Sequence, residues 1–236
     1  MKILIIKAFA AQGSLETEIL GSYVKHIHAS RPEASVQVCR PTSGEELPDP
    51  AQYDLLIVTG GAFDLFTTEP APWVQSILEL VRTLENGRPG GTKLLGICWG
   101  QQVVQLALGG RLGALSEGPR VGVQDIPLLK PQGTDFFGRD VLLLHKFHRR
   151  KIASLSDGFV PLAADYEILM SKSRQILTFQ SHPEMSAEIS QHLLDADTGF
   201  YTETASPNPA ITMRGIDHAH DGEHVWARIL EWASVP

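Results

Sequence analysis

Cys98 stands in the run Gly96-Ile97-Cys98-Trp99-Gly100, directly after the apolar stretch Lys93-Leu94-Leu95 and before a helix-like stretch from Gln101 to Leu108. A nucleophile at a tight strand-to-helix turn needs glycine on both sides, because side chains there would collide. The helix N-terminus that follows carries partial positive charge, which favours a thiolate. Far downstream, after a second apolar run Gln175-Ile176-Leu177-Thr178-Phe179, comes His182-Pro183-Glu184. The imidazole supplies a base for the thiol proton and later an acid for a leaving amine. The Glu184 carboxylate can reach the ring nitrogen not used in that transfer, fixing the tautomer and stabilising the imidazolium. Sulfur, imidazole and carboxylate together specify attack of sulfur on an acyl carbon. The oxyanion formed in that attack needs preorganised donors. The candidates are the backbone N–H of Trp99, next to the nucleophile, and that of Gly61, in the pair Gly60-Gly61 after a further apolar run.

These residues need elements to hold them. Lys2 to Lys7, Ser35 to Cys39, Asp54 to Val58 and Lys93 to Ile97 read as buried strands separated by helical patterns. Ser14 is placed to cap a helix running towards Ser30, and Pro72 to open one through Glu85. Strands apolar on both faces and separated by helices imply a parallel sheet covered on both sides. After Gly110 the pattern shortens. Arg111 to Leu115, Val121 to Ile126, Val141 to Leu144 and Tyr166 to Met170 are expected as an antiparallel extension of that sheet, with Gln175 to Gln180 returning to the core. Ala187 to Ala196 and Glu223 to Ala233 read as helices, joined by a long polar loop over Asp197 to Gly222. The expectation is an α/β fold, one domain over residues 1–236. Gly60-Gly61, Cys98 and His182 each fall just after a strand, and ligands in open α/β sheets bind beyond the strands' carboxyl ends.

Composition narrows the setting. The chain has 236 residues, is 43% hydrophobic and carries a formal charge of −7 with both signs interspersed, which argues against a nucleic-acid-binding surface. Two cysteines, Cys39 and Cys98, make no disulfide framework, and Cys39 reads as a core residue. No run approaches a membrane helix, and Ile3 to Ile6 is too short for a secretory signal, so the expected setting is the cytoplasm. The glycine-rich stretch Gly87 to Lys93 lacks the Gly-Lys-Ser/Thr ending of a phosphate-binding loop, so no nucleotide or other cofactor is expected. His218, His220, Asp221 and His224 suit a metal by type, but they cluster in a polar loop, and no metal is expected there.

Thr59-Gly60-Gly61, Gly96-Ile97-Cys98-Trp99-Gly100-Gln101-Gln102 and Phe179-Gln180-Ser181-His182-Pro183-Glu184 resemble, in this order, the three signatures of class I glutamine amidotransferase domains. The resemblance implies a flavodoxin-like three-layer α/β sandwich with a mainly parallel central sheet and a Cys98-His182-Glu184 triad. It implies a thioester at the γ-carbonyl of glutamine or a γ-glutamyl compound, with Gly60 and Gln102 helping to hold that small-molecule substrate. Within the superfamily the chain resembles the stand-alone branch that includes plant γ-glutamyl peptidases and GMP synthase-like proteins. That branch carries a His-Arg-Asp-like segment after a strand. Here the stretch is His145 to Lys151, and Arg150 stands where Asp is expected. Arg149 and Arg150 are candidates for an anionic substrate tail, against a plain solvated basic edge. The resemblance admits a glutaminase serving a separately encoded synthetase and a γ-glutamyl peptidase working alone. It also admits a repurposed acyl-transfer enzyme of specialised metabolism and a non-catalytic regulatory subunit.

Overall fold

Alternation along the first strand already divides the interior in two. In β1 (Lys2–Ile6), Ile3 and Ile5 point to one face of the sheet, and Leu4 and Ile6 to the other, all four buried. The computed structural model describes residues 1–87, 91–199, 201 and 213–235. The chain continues through α1 (Gly13–Ser30), β2 (Ser35–Cys39), β3 (Leu55–Val58), α2 (Pro72–Gly87), β4 (Lys93–Ile97) and α3 (Trp99–Ala107). Then come β5 (Arg111–Ala114), β6 (Arg120–Pro127), α4 (Gln132–Phe137), β7 (Val141–His148), β8 (Arg150–Ser154), β9 (Phe159–Pro161) and β10 (Ile168–Ser171). The last elements are β11 (Ile176–Phe179), α5 (Ala187–Asp195), β12 (Met213–Arg214) and α6 (Gly222–Ser234).

The central sheet has seven strands in the order β2-β1-β3-β4-β11-β10-β9. Its first five strands are mutually parallel, and β10 and β9 add to the β11 edge antiparallel. This is the doubly wound, flavodoxin-like arrangement, with helices on both faces. Leu20, Tyr23 and Ile27 of α1 pack with Trp226, Ile229 and Leu230 of α6 over one face. Ile77 and Val81 of α2 pack with Val103 and Val104 of α3 over the other. Each such side chain contributes roughly 1.5–3 kcal/mol by leaving water.

The expected antiparallel extension is only partly of this sheet. The strand expected over Tyr166 to Met170 joins it as β10. Those after Gly110 do not: β6 and β7 pair with each other and with β12 in a three-stranded sheet, and β5 pairs with β8 in a ribbon. The physical reason is length, since β7 runs to His148 rather than Leu144 and pairs with the whole of β6. Ser14 does not cap α1, because the helix begins at Gly13 behind Gln12, whose side chain makes no capping bond. The expected loop over Asp197 to Gly222 contains β12. Its residues 200 and 202–212, and residues 88–90 of the glycine-rich stretch, lie outside the described residues.

Close approach of α3 to the sheet depends on Gly100, where a Cβ would stand 2.2 Å from the Val58 carbonyl oxygen. In an ordinary helix Gly→Ala gains about 1 kcal/mol. Here the clash is with backbone that cannot swing aside, so Gly100→Ala is expected to lower stability by about 1–3 kcal/mol, read as a lower urea midpoint.

Candidate active site

Strand β4 ends at Ile97, and the chain reverses into α3 through Cys98, whose φ of 51° and ψ of −99° place an L-residue at positive φ. Such a conformation costs on the order of 1–3 kcal/mol and persists only where its surroundings hold it. Two hydrogen bonds do so: Cys98 N–H donates to the Phe179 carbonyl at 2.7 Å, and Gln102 N–H to the Cys98 carbonyl at 3.1 Å. The flanking glycines are required as expected, since a Cβ on Gly96 would meet the Gly100 carbonyl at 2.7 Å.

Strand β11 is the parallel neighbour of β4, with Phe179 beside Ile97, so the chain delivers His182 to the same edge three residues later. His182 N–H donates to the His145 carbonyl of β7 at 2.8 Å, and its Nδ1 meets Glu184 Oε1 at 2.7 Å. Ser22 Oγ of α1 donates to the Glu184 carbonyl, and Ser186 caps α5 through Ile189 N–H, which holds the short loop from both ends. His182 Nε2 is buried, has no hydrogen-bond partner among the described residues, and belongs to the ring beside Cys98. A methyl group on Gly60 would touch both groups, 2.7 Å from His182 Cε1 and 3.6 Å from Cys98 Cβ. Cys98, His182 and Glu184 are thus brought together, on one cavity of about 220 Å³.

Burial alone would strip the proton from His182. The Glu184 carboxylate, and after it the Cys98 sulfur, outweigh burial and lift the imidazolium pKa to about 10. Two neighbours serve as an internal control. Burial holds His145 and His148 down to about 3, and neither has a carboxylate hydrogen-bonded to its ring. Cys39, the last residue of β2, packs in the core, and burial pushes its thiol up to about 11.

Gly60 and Gly61 line the cavity, and Gly61 has no room for a side chain, because a Cβ would stand 1.8 Å from the Ala8 carbonyl oxygen. Trp99 is the first residue of α3, and its indole turns away from the cavity to donate to the Phe63 carbonyl at 3.0 Å. The structure does not bring Gln102, Arg149 or Arg150 to the cavity wall. Gln102 is buried and donates to Gln180 Oε1 at 3.2 Å. Arg150 pairs with Asp64 at 2.8 Å and lies over the Phe66 ring, and Arg149 is exposed at the end of β7. The side chains grouped by sequence near the C-terminus face separate partners: His220 packs edge-on against His145, Asp221 binds Arg139, and His224 Nε2 donates to the Phe137 carbonyl.

Sequence reasoning missed Tyr23 and Tyr201. The Tyr23 hydroxyl is buried facing Glu184 and the Gly60 backbone, and burial and then that carboxylate raise its pKa well above the ordinary value. Tyr201 packs its ring edge-on to Phe147 at 4.4 Å, whose carbonyl accepts from the Cys98 thiol at 3.8 Å. The signal available for Tyr23 was its place one turn beyond Ile19 on α1, on the stripe that reaches the cavity.

The family model described as glutamine amidotransferase class-I matches residues 19–197. A glutamine amidotransferase-like protein of Gibberella zeae is 39% identical over 99% of this chain and 95% of its own length. A second, from Penicillium rubens, is 30% identical over 86% of this chain and 84% of its own. The fold is similar to that of a glutamine amidotransferase from Methylobacillus flagellatus, with a TM-score of 0.77 at 21% identity over 98% of this chain and 94% of that one. The chain belongs to the class I glutamine amidotransferase family.

Replacing Glu184 by Gln keeps the hydrogen-bonding shape but removes the charge, so the His182 pKa should fall from about 10 to below the ordinary 6.5. A ring-proton NMR titration reads this directly, and an unmoved midpoint would contradict the assignment of the carboxylate as cause. His148 makes a second prediction. Its folded pKa of about 3 lies below the ordinary 6.5 expected when unfolded, so between these values the unfolded chain binds more protons and stability falls as pH falls. His148→Asn should therefore lose less urea-measured stability than the unsubstituted chain between about pH 7 and about pH 4.5.

Proposed function

We propose that the chain is a cysteine-dependent amide hydrolase or acyl transferase in which Cys98 forms a thioester with the substrate's acyl carbon. The observation that carries this is one cavity wall holding a positive-φ cysteine at a helix N-terminus and a buried histidine backed by Glu184. The proton that the Cys98 sulfur and His182 share rests on the ring, held there by Glu184, and the sulfur attacks the carbonyl carbon. Negative charge gathers on the carbonyl oxygen. The N–H groups of Trp99 and Gly61 are the donors in reach of that position by their place in the chain, with the N-terminal dipole of α3 behind them. The C–N bond breaks, and the leaving amine takes the proton from His182. Water, activated by the same imidazole, or another nucleophile then cleaves the thioester.

Glu184 keeps the ring oriented and pays part of the cost of its positive charge in the interior. Tyr23 stands behind that carboxylate as a positioning residue. The resemblance names a γ-glutamyl amide as substrate, but the reaction requires only an activated sulfur and an acyl carbon. The leaving group sorts the enzymatic versions: free ammonia suits delivery to a separately encoded synthetase, and a released amino acid suits a peptidase acting alone.

Cys98→Ala removes one sulfur atom at a turn and is expected to abolish turnover while leaving the circular dichroism spectrum and urea midpoint close to those of the unsubstituted chain. The check is ammonia and amine release across a panel of amides. Retention of most of the activity in the alanine variant would remove Cys98 from the reaction.

A further inference from the structure

The far end of the sheet holds a second pocket. Lys93 opens β4 and Cys98 follows its last residue, so the two stand roughly 17 Å apart at the rise of a strand. Lys93 lines a pocket of about 740 Å³ bounded by the turn between β10 and β11, by α4 and by α6. Lys93 is only 4% exposed, yet among the described residues its ammonium has no carboxylate partner. Its Nζ donates to the Trp232 carbonyl at 2.9 Å and stands 5.1 Å from the centre of the Trp232 ring. One carbonyl and one aromatic face do not replace the water an ion gives up on burial. Lys146 is the contrast, since it is equally buried and pairs with Glu167 at 2.5 Å.

A second cation stands near the first. Arg174 sits in the β10–β11 turn at a φ of 60°. Its N–H donates to the Ser171 carbonyl and its carbonyl accepts from the Trp232 indole, both at 2.9 Å, which fixes the turn against α6. Burial, and then the charge of the Arg174 guanidinium, hold the Lys93 pKa below its ordinary value. Lys172 lies on the same wall, and neither it nor Arg174 makes an ion pair among the described residues. Two carboxylates share the wall. Glu231 is taken by Arg228, and Asp135 pairs with no cation among the described residues. Three unpaired cations against one carboxylate leave two positive charges in excess, in a chain whose formal charge is −7.

The wall also carries Phe136, Val160, Met170 and Trp232, and its volume falls within the roughly 300–1,000 Å³ of small-molecule sites. We infer that this pocket binds a small phosphate ester with an aromatic body, its phosphate held by Lys93, Arg174 and Lys172 and its ring against Trp232 and Phe136. A phosphate monoester carries a charge of about −1.5 to −2 at neutral pH and three acceptor oxygens, which matches the excess charge and the three donors. A carboxylate carries about half that charge. The inference does not depend on the reaction at Cys98.

Phenyl phosphate, benzoate and inorganic phosphate, each titrated into the full chain by isothermal calorimetry at low salt, separate the parts of this reading. Phenyl phosphate is expected to bind one to one, at least about tenfold tighter than either of the others. Lys93→Met keeps the stem and removes the charge, and Arg174→Asn removes the guanidinium with a residue that tolerates positive φ. Each is expected to weaken phenyl phosphate at least about tenfold. Lys93→Met is also expected to raise the urea midpoint of the free chain, because a buried ion without a counter-charge has gone. Equal affinity for inorganic phosphate would overturn the aromatic body, and tighter binding of benzoate would overturn the phosphate. No saturable binding of phenyl phosphate up to about 10 mM, or binding unchanged in both variants, would overturn the site. A lower urea midpoint in Lys93→Met would make the ammonium a structural group with a partner of its own, and would overturn its role as the anion's ligand.

Discussion

A histidine buried beside a cysteine keeps its proton only when a carboxylate stands behind it. Three buried histidines meet around β7 and the β11–α5 loop, and burial pulls all three towards neutrality. The one with Glu184 at 2.7 Å goes the other way. The difference between about 3 for His145 and about 10 for His182 is the work of that carboxylate first, and of the thiol it faces second. Removing a partner from a buried charged pair costs about 3–5 kcal/mol, so this contact is also structural. It explains why so much of the fold converges on a three-residue segment. Helix α1 contributes Ser22 and Tyr23, β7 contributes the His145 carbonyl, and α6 brings Gly222 against the Pro183 carbonyl.

The distance from thiol to imidazole is then a matter of strand register. Cys98 follows β4 by one residue, and His182 follows β11 by three. The Phe179 carbonyl accepts directly from Cys98 N–H, so the two reactive segments are tied at the point where both leave the sheet. A slip of one residue between these strands would turn every side chain to the other face and part the pair. Full burial of β4 and β11 on both faces makes that slip costly. The hydrophobic core thereby sets the geometry of the chemistry.

Much of this arrangement was legible in the residues. Runs such as Leu55-Leu56-Ile57-Val58 are too short for helices and too apolar for an exposed sheet, which left parallel central strands as their reading. The glycine bracket around Cys98 and the short His182-Pro183-Glu184 link carried their geometry locally. The partners of β6 and β7 were not legible. Their pairing is decided by which strands lie adjacent in space, and a short amphipathic strand fits a separate sheet as well as an edge of the main one. Gln102 illustrates the same limit. Its place in the motif put it at the substrate, yet its amide closes a buried hydrogen bond to Gln180, whose own position depends on the Glu167 carbonyl.

The cations singled out by sequence stand off the cavity wall and the apolar residues passed over line it, for one reason. Arg149 and Arg150 drew attention because clustered cations have an obvious chemistry, but a guanidinium beside Asp64 and an aromatic face finds its partner locally. Phe9, Ile19, Ile189 and Leu193 drew none, because apolar residues one helical turn apart read as core. Whether such a stripe meets another side chain or an empty space depends on the packing of three elements that are far apart in sequence. Here α1 and α5 leave a gap over the end of β4, and their stripes meet across it. Strands β4 and β11 bring the sulfur and the imidazole to its floor, and the stripes of α1 and α5 close the space above them.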